Sequence, residues 1–177
     1  ENFREAIKYF DQVIKINPKY ENAWIEKGVC LNNIKKYEEA VKCYDEAIKL
    51  KPDDVQAYMN RGISFQCLKR DTEAIECFDK VIQMKPDFAE AYLKKGKSFQ
   101  SLRRYAEAIE CYNAAISLRP GDSMAYFRKG VCFHYLKRYI EAIECFDEAI
   151  RLKPDNVGAY FKKGLVLSSL KKYDEAL

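Results

Sequence analysis

Gly stands at positions 28, 62, 96, 130 and 164 and Pro at 18, 52, 86, 120 and 154, both series in steps of 34. Ala keeps the same step at 23, 57, 91, 125 and 159, and again at 6, 40, 74, 108, 142 and 176. An aromatic follows the first Ala series each time, as Trp24, Tyr58, Tyr92, Tyr126 and Tyr160. Three residue types held in phase along a whole chain constrain the fold more than any composition does. A period in the range of roughly 20 to 50 residues implies structural units that cannot bury their apolar faces alone and stack on one another. The expected fold class is therefore all-α, a stack of antiparallel helix pairs in 34-residue repeats.

Each period reads as two helices. From the first, helix A is expected over about 22–33, with Ala23, Trp24, Leu31 and Ile34 inward. A basic hinge, Lys35-Lys36, leads to helix B over about 38–50, which carries Ala40, Val41, Tyr44, Ala47, Ile48 and Leu50. These apolar positions recur three and four apart, as one face of a helix requires. Proline then stops helix B, because it lacks an N–H and disfavours helix at the residue before it. Asp54, Asp122 and Asn156 stand where a side chain can cap the next helix; at Tyr20 and Phe88 the neighbours Asn22 and Asp87 are expected to substitute. Glycine inside a helix costs about 1 kcal/mol relative to Ala. Its recurrence as Gly28, Gly62, Gly96, Gly130 and Gly164 thus predicts close helix contact, shared with Ala40, Ala74, Ala108 and Ala142. The aromatics at 24 and 44, and their equivalents, are expected to fill space between neighbouring pairs.

The organisation that follows is a helix B lacking its helix A (1–20), repeats over 21–54, 55–88, 89–122 and 123–156, and a partial repeat over 157–177. The chain opens without Met and stops in mid-pattern, so we expect a piece of something longer. Tyr173–Leu177 is expected to begin another helix B. Uncovered end helices predict self-association, since repeat arrays generally need polar capping elements.

Composition closes off several function classes. A net charge of +4 is too small to argue for nucleic acid or an anionic membrane, and no apolar run approaches the roughly 20 residues of a membrane helix. Seven cysteines invite a disulfide reading, but Cys43, Cys77, Cys111 and Cys145 share one repeat position and Cys30 and Cys132 another. Equivalent positions on stacked helices lie roughly 8–10 Å apart, beyond the about 7 Å a disulfide spans. Small buried thiols in a reducing, cytoplasmic compartment are expected instead. No phosphate-cradling glycine loop, metal-ligand spacing or nucleophile with a base is present, and His134 is the sole histidine. We expect no catalysis, metal or cofactor. Paired acids such as Glu38-Glu39 fall at the start of helix B, where they complement the positive helix end.

The pattern carried by Trp24, Gly28, Ala40, Tyr44, Ala47 and Pro52, and repeated through Tyr126, Gly130, Ala142, Phe146, Ala149 and Pro154, resembles the tetratricopeptide repeat. Three departures stand out: a basic residue before each glycine (Lys27, Arg61, Lys95, Lys129, Lys163), Leu or Phe where Tyr follows it, and Asp71 in place of a hinge aromatic. The last predicts a looser hinge. The resemblance implies a right-handed superhelical solenoid whose concave wall, mainly helix A, binds an extended or short helical peptide of another protein. Carrying its lining positions over gives a polar row Glu26, Asn60, Lys94, Arg128, Lys162, an amide-rich row Asn32, Gln66, Gln100, His134, Ser168, and an apolar row Ile25, Met59, Leu93, Phe127, Phe161. A fourth row contributes Lys97. Lys94, Lys97, Arg128 and Lys162 are expected to attract the carboxylates of an acidic peptide, the amides to bond its backbone and the apolar row to take its side chains. The chaperone-binding members of the family grip a terminal Glu-Glu-Val-Asp with five polar residues. Here those positions hold Ile25, Val29, Asn60, Glu90 and Lys94, of which only Asn60 and Lys94 suit and Glu90 repels. A regulatory segment of a larger enzyme is the alternative function. Single-stranded RNA is a weaker one, because most of the 13 Tyr fill repeat-packing positions.

Overall fold

The computed structural model describes the backbone of residues 2–174 and the side chains of residues 2–170. Ten helices occupy it: α1 (Asn2–Ile16), α2 (Glu21–Asn33), α3 (Tyr37–Leu50), α4 (Val55–Cys67), α5 (Asp71–Met84), α6 (Ala89–Ser101), α7 (Tyr105–Leu118), α8 (Ser123–Tyr135), α9 (Tyr139–Leu152) and α10 (Val157–Asp174). No strand occurs among the described residues. The chain forms two compact units, 1–86 and 87–177. In the first, α2 packs with α3 and α4 with α5, and α1 with α2 and α3 with α4 join the pairs. In the second, α6 packs with α7 and α8 with α9, while α7 meets α8 and α9 meets α10. Each unit is thus an all-α stack of helix pairs, as expected. No helix among the described residues is long and apolar enough to cross a membrane.

Glycine explains how closely the pairs pack. A Cβ built on Gly28 would lie 2.6 Å from Cε1 of Tyr44, the aromatic of helix B in the same pair. Gly62 meets Phe78, Gly96 meets Tyr112 and Gly130 meets Phe146 in the same way, all within 2.8 Å. All four rings are fully buried, as are Ala40, Ala74, Ala108 and Ala142. The ring at 44 therefore packs within its own pair, where the sequence had suggested the space between pairs. Gly164 has nothing within 4 Å among the described residues. Trp24 is half-buried, and its indole N–H donates to the Pro18 carbonyl at 3.0 Å.

The hinges are tighter than a basic dipeptide suggests. Lys35, Lys69, Arg103 and Lys137 all sit at φ near +60° (59–62°). After helix A, Lys35 N–H donates to Asn32 O at 3.0 Å and Lys36 N–H to Leu31 O at 2.9 Å, and the other three hinges repeat this pair of bonds. These bonds satisfy the last carbonyls of helix A and turn the chain back within three residues. A left-handed conformation costs a non-glycine residue about 1 kcal/mol. Asp71 does not loosen its hinge: it is buried at 8% exposure. The basic residue that precedes helix B stacks over helix A, with Arg70 4.6 Å from the Phe65 ring centroid and Arg138 4.5 Å from that of Phe133. The same residues pair with Glu73 and Glu141 three positions on.

Asp54 accepts from Ala57 N–H at 2.8 Å, Asp122 from Met124 and Ala125, and Asn156 from Ala159 at 3.1 Å, the caps expected. Neither Asn22 nor Asp87 substitutes elsewhere, since Tyr20 and Phe88 occupy the cap positions and no side chain accepts there. A second departure lies at α10, which runs on through Asp174 where a turn near Lys171 was expected. Residues 175–177 of the expected helix B lie outside the described residues. Val157, Tyr160 and Phe161 of α10 are exposed by 54–79%, and α1 has no buried residue.

The basic residues before glycine tie successive pairs together. Lys27 pairs with Asp11 at 2.6 Å, Arg61 with Asp45 at 3.0 Å, and Lys163 with Asp147. Asn113 occupies the acidic position opposite Lys129. At least one partner of each pair is well exposed, so each contributes about 1 kcal/mol or less.

All seven cysteines are free. Cys67 alone is exposed, whereas burial pushes Cys43, Cys77 and Cys145 up to about 11 and Cys132 up to about 12. These four thiols are protonated at neutral pH and poorly nucleophilic.

Helix propensity alone would make Gly→Ala stabilising throughout. The ring contact reverses the sign where it exists. Gly62→Ala is expected to destabilise by about 1–3 kcal/mol through overpacking against Phe78, and Gly164→Ala to stabilise by up to about 1 kcal/mol. Urea denaturation of the two variants beside the parent measures both signs; stabilisation by Gly62→Ala would refute the packing explanation.

Candidate functional site

Helix A carries the candidate residues, and two successive helices A, α6 and α8, bring some of them together in the second unit. A cavity of about 410 Å³ between them is lined by Lys97 and Gln100 of α6, Arg103 and Tyr105 at the hinge, and Arg128 and Tyr135 of α8. A second of about 410 Å³ shares Lys97 and Arg128 and adds Glu90, Lys94, Arg119 and Asp122. Lys94 faces Glu90 at 3.8 Å one helical turn away. Three of the four cations expected to act together thus converge. Lys162 does not line either cavity and lies instead close enough to His134 to act on its charge.

The arrangement is pre-set from behind. The buried Tyr112 hydroxyl donates to Gln100 Oε1 at 2.9 Å. Burial pushes that phenol well above its ordinary value, while the Arg128 guanidinium works against the shift by charge and hydrogen bonding. Tyr112 remains a neutral donor, and Arg128 is held beside it. On the hinge side the Tyr105 and Tyr135 rings stack at 4.9 Å with planes 5° apart, forming one wall.

The amide row serves the fold more than a ligand. Asn32 Nδ2 donates to the Tyr44 phenol oxygen at 3.1 Å, and Asn32 Oδ1 accepts from Ser64 of the next pair at 2.8 Å. Gln66 is buried at 8% exposure and Gln100 is engaged by Tyr112. Asn32 and Gln100, expected to bond a peptide backbone, each also complete the hydrogen bonding of a buried phenol twelve residues on. Where that later residue is Phe, as at Phe146, no hydroxyl is available, and the buried Nδ1 of His134 has no hydrogen-bond partner. Its ring packs against Tyr135 and Tyr139. The sequence held this signal in the spacing of Asn32 to Tyr44 and Gln100 to Tyr112.

The apolar row divides along the chain, with Leu93 half-buried and lining the second cavity. Ile25 and Met59 are buried, at 6% and 4% exposure, and do not offer themselves to a ligand. Phe127 is half-buried, its ring 5.9 Å from that of Phe146 and turned toward Gly158 of α10. Phe161 is exposed. Asn60 is half-buried in the first unit; its carbonyl accepts from Ser64 at 2.9 Å, and its Nδ2 finds no acceptor among the described residues. Sequence reasoning missed Arg103, Arg119, Tyr105 and Tyr135, because residues at hinges and helix ends join the wall only once the chain turns back. No group of His, Cys, Asp and Glu among the described residues could hold a metal ion.

Four family profiles match the chain: tetratricopeptide repeat at 93–156, TPR repeat at 34–67, tetratricopeptide repeat at 9–42 and 145–177, and tetratricopeptide repeat at 55–88. No curated protein sequence matches it. Among solved structures, MamA (41-end) from Desulfovibrio magneticus RS-1 superposes with a TM-score of 0.83 at 21% identity, covering 88% of both chains. YrrB, described as a TPR protein with an unusual peptide-binding site, gives 0.83 at 20% identity over 92% of this chain and 84% of its own. The first TPR of Spaghetti (RPAP3), bound to the HSP90 peptide SRMEEVD, gives 0.65 at 21% over 66% of this chain and 93% of its own.

Burial, and then the Lys162 charge, hold His134 below its ordinary value of 6.5. The unfolded chain therefore binds the proton more readily than the folded one, so stability is expected to fall as pH drops below about 6.5. As the single histidine, His134 gives a clean NMR titration. We expect a depressed midpoint that Lys162→Gln raises only in part, since burial is the larger cause. A midpoint at or above 6.5 would contradict this environment.

Proposed function

The chain belongs to the tetratricopeptide repeat family, and from that premise we propose that it is a non-catalytic scaffold binding an acidic peptide segment of a partner protein. The observation that carries this reading is the convergence of Lys94, Lys97 and Arg128 around one cavity between α6 and α8, joined by Arg119. Charge-assisted bonds from ammonium and guanidinium groups to carboxylates are roughly twice as strong as neutral ones. Lys94 and Arg128 are half-buried, where such bonds are less screened than on open surface. Glu90 and Asp122 on the same wall leave the lining at a net +2, from four cations and two acids, so peptides poor in acid gain little there. Two structural neighbours are linked to peptides, YrrB by its unusual peptide-binding site and the first TPR of Spaghetti (RPAP3) by the bound HSP90 peptide SRMEEVD, which is acidic. This is consistent with such a role here.

Catalysis has no foothold in this site. Its lining offers cations, an amide that accepts from Tyr112, two stacked phenols and the Ser101 hydroxyl, with no His, Asp or Glu in the cavity to act as its base. Mostly buried thiols outside any disulfide suit a reducing compartment such as the cytoplasm.

Lys94→Glu combined with Arg128→Glu is expected to weaken binding of a fluorescein-labelled Glu-rich peptide by at least about a hundredfold, roughly tenfold per reversed charge. Raising salt should weaken parental binding progressively. Fluorescence anisotropy measures both. Equal affinity of parent and variant, or equal binding of a Lys-rich control peptide, would remove the proposal.

A further inference from the structure

We propose that the hinge-side cavity, walled by Lys97, Arg103, Arg128, Ser101 and the Tyr105–Tyr135 stack, binds a phosphoryl dianion carried on the partner's peptide. This rests on the peptide-scaffold reading and specifies one residue of the ligand. Charge separates this cavity from its neighbour. Glu90 and Asp122 temper the neighbouring one, whereas three cations and no carboxylate line this one. A carboxylate would leave the wall at +2. A phosphate monoester, with a charge near −2 at neutral pH, brings it close to +1.

Donor geometry points the same way. Two guanidiniums present five N–H donors each and an ammonium three, and a serine hydroxyl and two phenols stand beside them. A carboxylate has two oxygens in one plane. Cations arriving from α6, from the hinge and from α8 surround their ligand from three sides, which suits the three terminal oxygens of a tetrahedral phosphoryl group. One of those cations has a side-chain partner and another a fixed backbone. Arg128 lies against the Tyr112 hydroxyl that Gln100 holds. Arg103 stands on a left-handed hinge residue (φ 59°) whose backbone is fixed by the bonds from Arg103 N–H to Gln100 O and from Arg104 N–H to Phe99 O. Less side-chain and loop entropy is then lost on binding.

Single-stranded RNA also carries phosphates, but two observations favour a peptide. The Tyr105 and Tyr135 rings already stack on each other at 4.9 Å, so no slot for a base is left between them. The cations are gathered at one cavity, and the whole chain carries only +4, too little for a backbone-tracking stripe.

Three short fluorescein-labelled peptides of alternating Glu and Gly, with a central Ser, Glu or phosphoserine, test the proposal by anisotropy. Phosphoserine is expected to tighten binding about tenfold over Ser and several-fold over Glu. Arg103→Gln should erase that gain while leaving the Ser peptide within about twofold of its parental affinity. Lys94→Glu should weaken all three peptides alike. Phenyl phosphate alone should shift the NMR signals of Tyr105 and Tyr135. If the Ser and Glu peptides bind but phosphoserine adds nothing, the phosphoryl site is overturned and the scaffold reading stands. If no peptide binds, the scaffold reading falls, and a phenyl phosphate response would then mark a site for free phosphate esters, also overturning this proposal. A uridine oligonucleotide that displaces the phosphopeptide at lower concentration, with a steep salt dependence, would assign the cavity to RNA and overturn it too.

Discussion

A buried aromatic ring lying on a glycine is the contact that the rest of this fold depends on. Tyr44 on Gly28, Phe78 on Gly62, Tyr112 on Gly96 and Phe146 on Gly130 fix the separation of the two helices in each pair. Because each ring is fully buried, it fills the volume that a side chain on helix A would otherwise take. The helix accepts about 1 kcal/mol of lost propensity per glycine. In return the ring is removed from water, which is worth roughly 1.5–3 kcal/mol. Burial is the larger of the two, which is why the glycine persists in every complete pair. Ala40 and its equivalents, with no exposed surface, extend the close approach along helix B.

Once the ring is fixed, its para position dictates the polar chemistry nearby. A buried phenol needs a partner, and Asn32 and Gln100 supply it twelve residues upstream. A phenylalanine needs none, and beside Phe146 the histidine at 134 is left with an orphaned ring nitrogen and a depressed affinity for protons. A polar residue facing the groove can thus be committed to the core behind it. The basic residues before each glycine show the same double use: Lys27, Arg61 and Lys163 lie along helix A with their stems and reach an aspartate of the preceding helix B with their charge.

Much of the fold was legible because its signals are periodic. Pro52 and its equivalents stop helix B, Asp54 and Asp122 cap the helices after it, and the cysteine positions argued correctly against disulfides. What stayed hidden depends on contacts between distant residues. Ile25 and Met59 share a repeat position with exposed Phe161, and only packing distinguishes buried from exposed. The left-handed hinges were invisible because Lys and Arg rather than Gly occupy them. The continuation of α10 through Asp174 shows the reverse case, in which a local sequence like that of the other hinges stays helical. At the site, the lysines of α6 and Arg128 could be picked from the repeat register. Arg103 and Arg119 could not, since they reach the wall from a hinge and from the end of α7.

This division between ring-bearing and groove-facing positions has a consequence for specificity. The packing positions are filled by few residue types because each must fit its ring or its glycine. The positions toward the α6–α8 cavities vary freely within one chain: at the position of Lys94 and Arg128, the preceding repeats carry Glu26 and Asn60. Neither of those side chains disturbs the glycine–ring contacts at 28 and 62. A change of charge at Lys94 therefore leaves those packing contacts intact, whereas a change at Arg128 also removes the guanidinium beside the buried Tyr112 hydroxyl. Stability and recognition are set by different atoms of the same short helix, so affinity for a partner can change one repeat at a time while the stack stays intact.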